Sequence, residues 1–299
     1  NMPTKRTAMR VTVGIPAYNE EHNILHLLRS IEGGAGNLVS EIIVSDDSSD
    51  GTPFLIEQFA KKSPIPVVHF HHAKRRGAAA AWNEIFQRAS GDTIVLYDAD
   101  TLPEKGCTAR LAAGVSGNVA LCASNSQPVR TRGVAGRASA FISNWLRVVR
   151  KARLSQYTVM GRGLAIDSAA ARRITIPHDM IAIDLYLQCA VMEMGLDVAY
   201  NDDAVVYFRP AESMQDLASQ VLRAVNGHRQ VKEHVERLGV GLPLHVAIAQ
   251  TARTVLLDPI GAASVAIGYS PLPYYRSRLA GTNSALWHTA ASSKSLGMM

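Results

Sequence analysis

The spacing of apolar residues alternates between two periods over the first hundred positions. Val11–Pro16 is a short, β-branched run, and Asn19–Ile31 puts Ile24, Leu27, Leu28 and Ile31 on one face at helical spacing. Glu41–Ser45, Pro66–His71 and Thr93–Tyr97 repeat the strand signal, with helical stretches over Thr52–Lys61 and Ala78–Ala89 between them. Strands alternating with helices across short connections predict an α/β fold: a mostly parallel sheet with helices on both faces. In such sheets ligands bind beyond the carboxyl ends of the strands. Three polar clusters stand there: Tyr18-Asn19-Glu20, Asp46-Asp47 and Asp98-Ala99-Asp100.

The second half is less regular. Val119–Ala123 predicts a strand, and the Arg-rich stretch 125–155 contains a helical segment around Trp145. A further apolar run, Val159–Ile166, is interrupted by Gly161-Arg162-Gly163, which reads equally as a β-turn or as a turn against an acceptor sugar. Asp184–Met194 predicts a helix, Asp197–Tyr200 and Ala204–Phe208 two strands, and Ser213–Leu238 one long amphipathic helix. Asp202 and Asp203, between those strands, read as a turn. Leu242–Tyr269 is apolar, but His245, Gln250, Arg253, Asp258 and Pro259 interrupt it, so it lacks the ~20 apolar residues of a spanning helix. Apolar helix faces followed by Tyr274-Tyr275-Arg276-Ser277-Arg278 suit helices lying in a membrane interface; the rival reading packs them onto the globular domain. The expected division is a catalytic domain over 1–238 and a C-terminal helical, interfacial segment over 239–299.

Composition narrows this reading. Of 299 residues, 47% are hydrophobic, enough for a sizeable core, which excludes bulk disorder. The net charge of +6 suits anionic partners: nucleic acid, anionic lipid or phosphate-rich small molecules. Aromatics are only 6%, and the acids gather at strand ends, which argues against a nucleic-acid-binding module. Cys107, Cys122 and Cys189 are far apart and unpatterned, which fits a reducing compartment. No apolar stretch follows Lys5, Arg6 and Arg10, so an export signal is not expected and the location reads as cytoplasmic, peripheral on the membrane.

The candidate chemistry starts at Asp98-Ala99-Asp100. Two carboxylates two residues apart, just past a strand, suit a hard cation such as Mg²⁺ or Mn²⁺, which binds one or two carboxylates together with substrate phosphates. Asp46-Asp47-Ser48-Ser49-Asp50-Gly51-Thr52 also follows a strand and opens a helix. One of its later residues serves as the cap, leaving Asp46 and Asp47 to accept from a base N–H or a ribose hydroxyl. Arg75-Arg76-Gly77 places guanidinium groups at another helix start, where phosphate is favoured. His69 and His71 share a strand face without a third metal ligand at a usual spacing, so structural histidines are expected there.

Ile15-Pro16-Ala17-Tyr18-Asn19-Glu20-Glu21, Asp46–Thr52, Gly77–Asn83 and Gly91-Asp92…Asp98-Ala99-Asp100 occur in the order seen in family 2 glycosyltransferases, which the sequence resembles. The resemblance continues through Asp184-Leu185-Tyr186-Leu187, Gly195, Ala204-Val205 and Gln220-Val221-Leu222-Arg223…Gly227, covering roughly residues 11–230. It implies a GT-A (Rossmann-like) fold and inverting transfer from a nucleotide-diphosphate sugar, with a UDP-sugar preferred over a GDP-sugar. It also implies roles. Pro16, Ala17, Asn19 and Glu20 line the base pocket, and Asp47 contacts base or ribose. Asp98 faces the ribose or sugar-phosphate and helps Asp100, the main metal ligand. Arg76 (or Arg75) replaces the lysine that many members carry at Ala78. Asp184 is the general base, and Gln220 and Arg223 hold the diphosphate or the acceptor.

Two departures stand beside Ala78. Ile183 precedes the base where the family often has Glu, and Ala224 replaces a common Trp, which suits a non-processive enzyme. His228 lies on the same helix as Gln220 and reads equally as a solvated histidine or as one near the diphosphate. The tail around Trp287 and Ser292-Ser293-Lys294 resembles that of membrane-associated members, and the family's lipid, lipid-linked and polysaccharide acceptors set the expected partner. The rival enzyme reading, a sugar-phosphate nucleotidyltransferase, requires a Gly-rich basic loop where Ala17-Tyr18-Asn19-Glu20-Glu21 stands instead.

Overall fold

The structure, a computed structural model, describes residues 9–129, 133–151 and 162–279. The tail around Trp287 and the start of the 159–166 run lie outside these. One eight-stranded sheet carries the fold, in the order β3-β2-β1-β4-β7-β6-β8-β5. Its strands are β1 (Val11–Ala17), β2 (Val39–Asp46), β3 (Val67–His71), β4 (Thr93–Tyr97), β5 (Thr101–Pro103), β6 (Val119–Pro128), β7 (Gly163–Asp167) and β8 (Asp197–Phe208). Four neighbouring pairs are parallel (β1–β2, β1–β4, β2–β3, β6–β8), while β7 runs antiparallel to both β4 and β6, and β5 to β8. The reversal of β7 brings its amino end beside the carboxyl end of β4, where the Asp98 amide donates to the Arg162 carbonyl at 3.2 Å.

Helices α1 (Ile24–Ala35), α2 (Thr52–Ala60) and α4 (Cys107–Ala113) cover one face; α3 (Ala78–Arg88), α6 (Ser168–Arg173), α7 (Ile183–Glu193) and α9 (Lys232–Leu238) cover the other. The alternation within β1 shows why. Val11, Val13 and Ile15 are fully buried in the core with Ile24, Leu27 and Leu28. Gly14 faces α3, where a Cβ would come within 2.5 Å of Ile85 and 2.9 Å of Leu96; only glycine lets that helix approach the strand so closely. Side chains of this size contribute roughly 1.5–3 kcal/mol each when buried.

Several boundaries differ from the sequence reading. Helix α1 starts at Ile24 rather than at 19, because Asn19 adopts a left-handed conformation (φ 54°) and a turn follows it. The long helix expected over 213–238 breaks at Val231 into α8 (Met214–Gln230) and α9. The two strands expected near 200 are one, β8, with a bulge: Ser124 pairs with Asn201 and the next residue, Asn125, with Val205. Asp202 is therefore not a free turn residue; it sits in β8 and holds Arg147 through bonds of 2.8 and 2.9 Å. The three cysteines are free and buried. Gly163 abuts the Tyr97 ring, where a Cβ would lie at 2.9 Å, so packing explains this glycine.

The C-terminal part forms α10 (Leu244–Leu257), α11 (Pro259–Tyr269) and α12 (Leu272–Leu279), which pack on α5 (Gly133–Lys151) and α8. Only small or polar residues of α10 and α11 are buried: Thr254, Gly261, Ser264 and Gly268. Leu244, Ile248, Leu256, Leu257, Ile260 and Ile267 remain exposed, Leu256 by 84%. Among the described residues no helix is long and apolar enough to cross a membrane.

Candidate active site

A cleft of about 990 Å³ opens beyond the carboxyl ends of β1 and β4. β1 delivers Pro16, Tyr18 and Glu20 to it, and the turn after β4 delivers Asp98 and Asp100. Helix α7 contributes Asp184 from its first turn, and α8 contributes Gln220, Arg223, Ala224 and His228 at positions i, i+3, i+4 and i+8 of one face. Arg162, at the entry to β7, lies 4.0 Å from Asp100 and stacks over Phe208 at 4.0 Å.

The electrostatics are those of crowded, partly desolvated charge. Burial pushes the Asp98 carboxyl up to about 7; the Asp100 charge adds to this, Asp184 adds less, and Arg162 and Arg223 oppose it. Burial also works against the charged form of Arg223, with Asp98 and Asp184 pulling the other way. A pair of carboxylates held this close fits a hard divalent cation, because its charge relieves the repulsion that raises Asp98. Among the described residues no group of three or more His, Cys, Asp or Glu is placed to hold a metal, so substrate oxygens would have to complete the shell. The His228 Nδ1 lies 2.8 Å from the Ala224 carbonyl, which only accepts; the proton therefore sits on Nδ1.

The structure thus brings together Pro16, Glu20, Asp98, Asp100, Asp184, Gln220 and Arg223. It places the other expected residues differently. Ala17 is buried in β1. Asn19 stitches two loops, its amide donating to Ser48 Oγ (2.7 Å) and its side-chain oxygen accepting from the Ser49 amide (2.8 Å). Asp47 accepts from the Arg76 and Gly77 amides at 2.6 and 2.9 Å. Arg76 turns away from the cleft toward Asp47 and Glu84. Arg75 instead stacks on Tyr18 at 3.8 Å from the ring centroid, beside the cleft. His69 and His72 pair with Asp46 and Glu84, both at 3.0 Å, and His71 reaches the Ser48 carbonyl.

The sequence reading missed Arg150. Only 5% exposed, it lines the cleft from α5 on the same face as Ser139, Ile142, Ser143 and Leu146. An arginine in a stripe of small and apolar residues was the available signal. With Leu217, Val221 and Tyr269, this face makes one wall of the cleft largely apolar.

The family model described as Glycosyl transferase family 2 matches residues 12–165, just over half of the chain. Dolichol-phosphate mannosyltransferase of Pyrococcus furiosus is 38% identical over 93 residues, 31% of this chain and 26% of that protein. The aligned part thus spans about a quarter of that relative's length. A mannosyltransferase from Pyrobaculum calidifontis, solved with GDP-Man and Mn²⁺, superposes with a TM-score of 0.58 at 23% identity, covering 94% of this chain and 85% of that one. S. aureus TarS with UDP-GlcNAc gives 0.53 at 17% identity, covering 90% and 88%. At these identities the structural likeness shows the fold, a GT-A-like curled sheet with C-terminal helices.

Proposed function

Because this chain belongs to glycosyl transferase family 2, we propose that it transfers a sugar from a UDP- or GDP-sugar to the hydroxyl of a lipid, lipid-linked or saccharide acceptor, with inversion. The observation that carries this reading is the convergence of Asp98, Asp100, Asp184, Gln220 and Arg223 from three separate elements on one cleft with an apolar wall. Asp98 and Asp100 would hold a divalent cation, Mg²⁺ or Mn²⁺, which neutralises the departing nucleoside diphosphate. Arg223 and Gln220 face the same space and hold the diphosphate or the acceptor. Asp184 takes the acceptor hydroxyl's proton as its oxygen forms the bond to the anomeric carbon and the bond to the diphosphate breaks. Asp184 is itself half-buried where it lines the cleft. Pro16 and Glu20 border the donor end, with Asp47 toward the base.

The apolar wall formed by α5 and α8 supports a lipid-bearing acceptor, as does the likeness to the dolichol-phosphate mannosyltransferase of P. furiosus. We assign catalysis to residues 1–238 and membrane contact to the helices after 239. The exposed leucines and isoleucines of α10 and α11, the nearby Arg253 and Arg276, and the net charge of +6 support peripheral binding to an anionic, cytoplasmic leaflet. Labelled UDP- and GDP-sugars, supplied with Mn²⁺ and vesicles carrying polyprenyl acceptors, test the reading: labelled lipid and free nucleoside diphosphate should appear together. Nucleoside diphosphate release that no lipid or saccharide acceptor stimulates would contradict it.

A further inference from the structure

A cluster of ionisable side chains lies outside the cleft, behind the Asp46-Asp47 turn. The Arg76 Nε donates to Asp47 Oδ1 at 3.1 Å, and its Nη2 donates to Glu84 Oε2 at 2.9 Å and to Ser45 Oγ at 3.0 Å. Glu84, on α3, also accepts from Ser45 Oγ at 2.6 Å and lies 3.0 Å from His72 Nε2. Burial works to raise the Glu84 carboxyl, but the donors Arg76, Ser45 and His72 outweigh it and hold it below its ordinary value. Three of the five guanidinium N–H groups of Arg76 are thus committed to neighbouring side chains.

We propose that Glu84 is a positioning residue for nucleobase recognition: it clamps Arg76, which fixes Asp47 with a single carboxylate lone pair left for the base. This rests on the reading that Asp47 meets the base. An ionised carboxylate offers about four lone-pair sites and donates nothing. Oδ2 of Asp47 accepts from the amides of Arg76 and Gly77, and Oδ1 accepts from Arg76 Nε. One site, on Oδ1, is left. It accepts from a ring N–H such as uracil N3–H or guanine N1–H. Cytosine presents an acceptor at N3, so the two lone pairs would face each other. Without Glu84, the Arg76 guanidinium keeps Ser45 as its one outer partner and is free to turn, and the direction of the remaining lone pair is lost.

Calorimetry with UDP, GDP and CDP, each with Mn²⁺, tests this on the wild type, Glu84→Gln and Glu84→Ala. The wild type should bind the better of UDP and GDP roughly tenfold or more tightly than CDP, the value of about one buried hydrogen bond. Glu84→Ala should erase most of that ratio by weakening the better nucleotide, leaving CDP within about twofold, because the diphosphate contacts are untouched. Glu84→Gln keeps an acceptor oxygen and should fall between. With the full donor, KM should rise and kcat at saturation should hold. A general loss of structure would instead weaken UDP, GDP and CDP together, and that result overturns the proposal, as does an unchanged ratio in Glu84→Ala. If Glu84→Ala does not fold, Glu84→Gln and Ser45→Ala decide by the same ratio. A wild type that binds no nucleotide refutes the donor reading itself; one that binds all three equally refutes the part given to Asp47.

Discussion

Gly227 gives the sharpest perturbation that leaves every polar group in place. It lies on α8 against Ala182, the residue that leads into α7 and its Asp184. A Cβ at 227 would sit 2.7 Å from the Ala182 Cβ and 3.0 Å from its nitrogen. Carbon atoms rest at about 3.5–4.0 Å, so Gly227→Ala must part the two helices by about 1 Å. One wall carries Gln220, Arg223 and His228, and the other carries Asp184. Overpacking costs about 1–3 kcal/mol, and alanine's better helix propensity returns up to about 1 kcal/mol. The net loss of roughly 0–2 kcal/mol should lower Tm by only a few degrees, at about 2–4 °C per kcal/mol for a chain of this size. Displacing a reacting group by about 1 Å can cost about 100-fold in rate. Scanning calorimetry beside initial rates of nucleoside diphosphate release should therefore show activity falling far more than stability. Gly33→Ala, in α1 with nothing within 4 Å of the added Cβ, should raise Tm slightly and leave the rate alone. Wild-type rate and Tm in Gly227→Ala would refute the claim that this contact sets the spacing of the two walls.

Other outcomes follow from the same geometry. Asp184→Asn should retain donor affinity by calorimetry while transfer drops by about 100-fold or more; retained turnover would mean that another group takes the proton. The Arg147 bonds hold the Asp202 carboxyl well below the usual carboxylate range, with Tyr200 and Lys151 helping against burial. A depressed folded pKa contributes stability above the unfolded value of about 3.9 and loses it as pH falls below that. Urea midpoints of the wild type should therefore drop more steeply below about pH 4 than those of Arg147→Met, and parallel curves would exclude the pair as a source of acid sensitivity. Leu256→Asp with Leu257→Asp, both on exposed positions of α10, should cut sedimentation with anionic vesicles while leaving Tm nearly unchanged. Undiminished sedimentation would remove that face from the membrane contact.

The elements legible in the sequence were those whose periodicity is dictated by burial on a known face. Val11, Val13 and Ile15 are spaced for a strand, and Ile24, Leu27 and Leu28 for the helix that covers it. Aspartates 98 and 100 were legible because both follow directly from the end of β4. Short elements were not: β5 has three residues, and α6 is a six-residue helix marked only by the Asp167 side chain capping the Ala170 amide. The break at Val231 leaves no trace in the amphipathic pattern, since Val231 is itself buried and falls on the expected face. The assignment of Arg76 to phosphate was undone by Glu84, eight residues away, whose part no local spacing could reveal. Contacts between strand ends and distant helices depend on the sheet order, and the reversed β7 that brings Arg162 beside Asp100 is a property of topology alone.

The proposed transfer requires that Asp98 and Asp100 join a cation to a nucleoside diphosphate. The most direct measurement is calorimetric binding of UDP and GDP to the wild type and to Asp100→Ala, with and without Mn²⁺. The wild type should bind tightly only when the metal is present, and Asp100→Ala should lose that metal-dependent increment. Equal affinity in all four conditions would contradict that requirement.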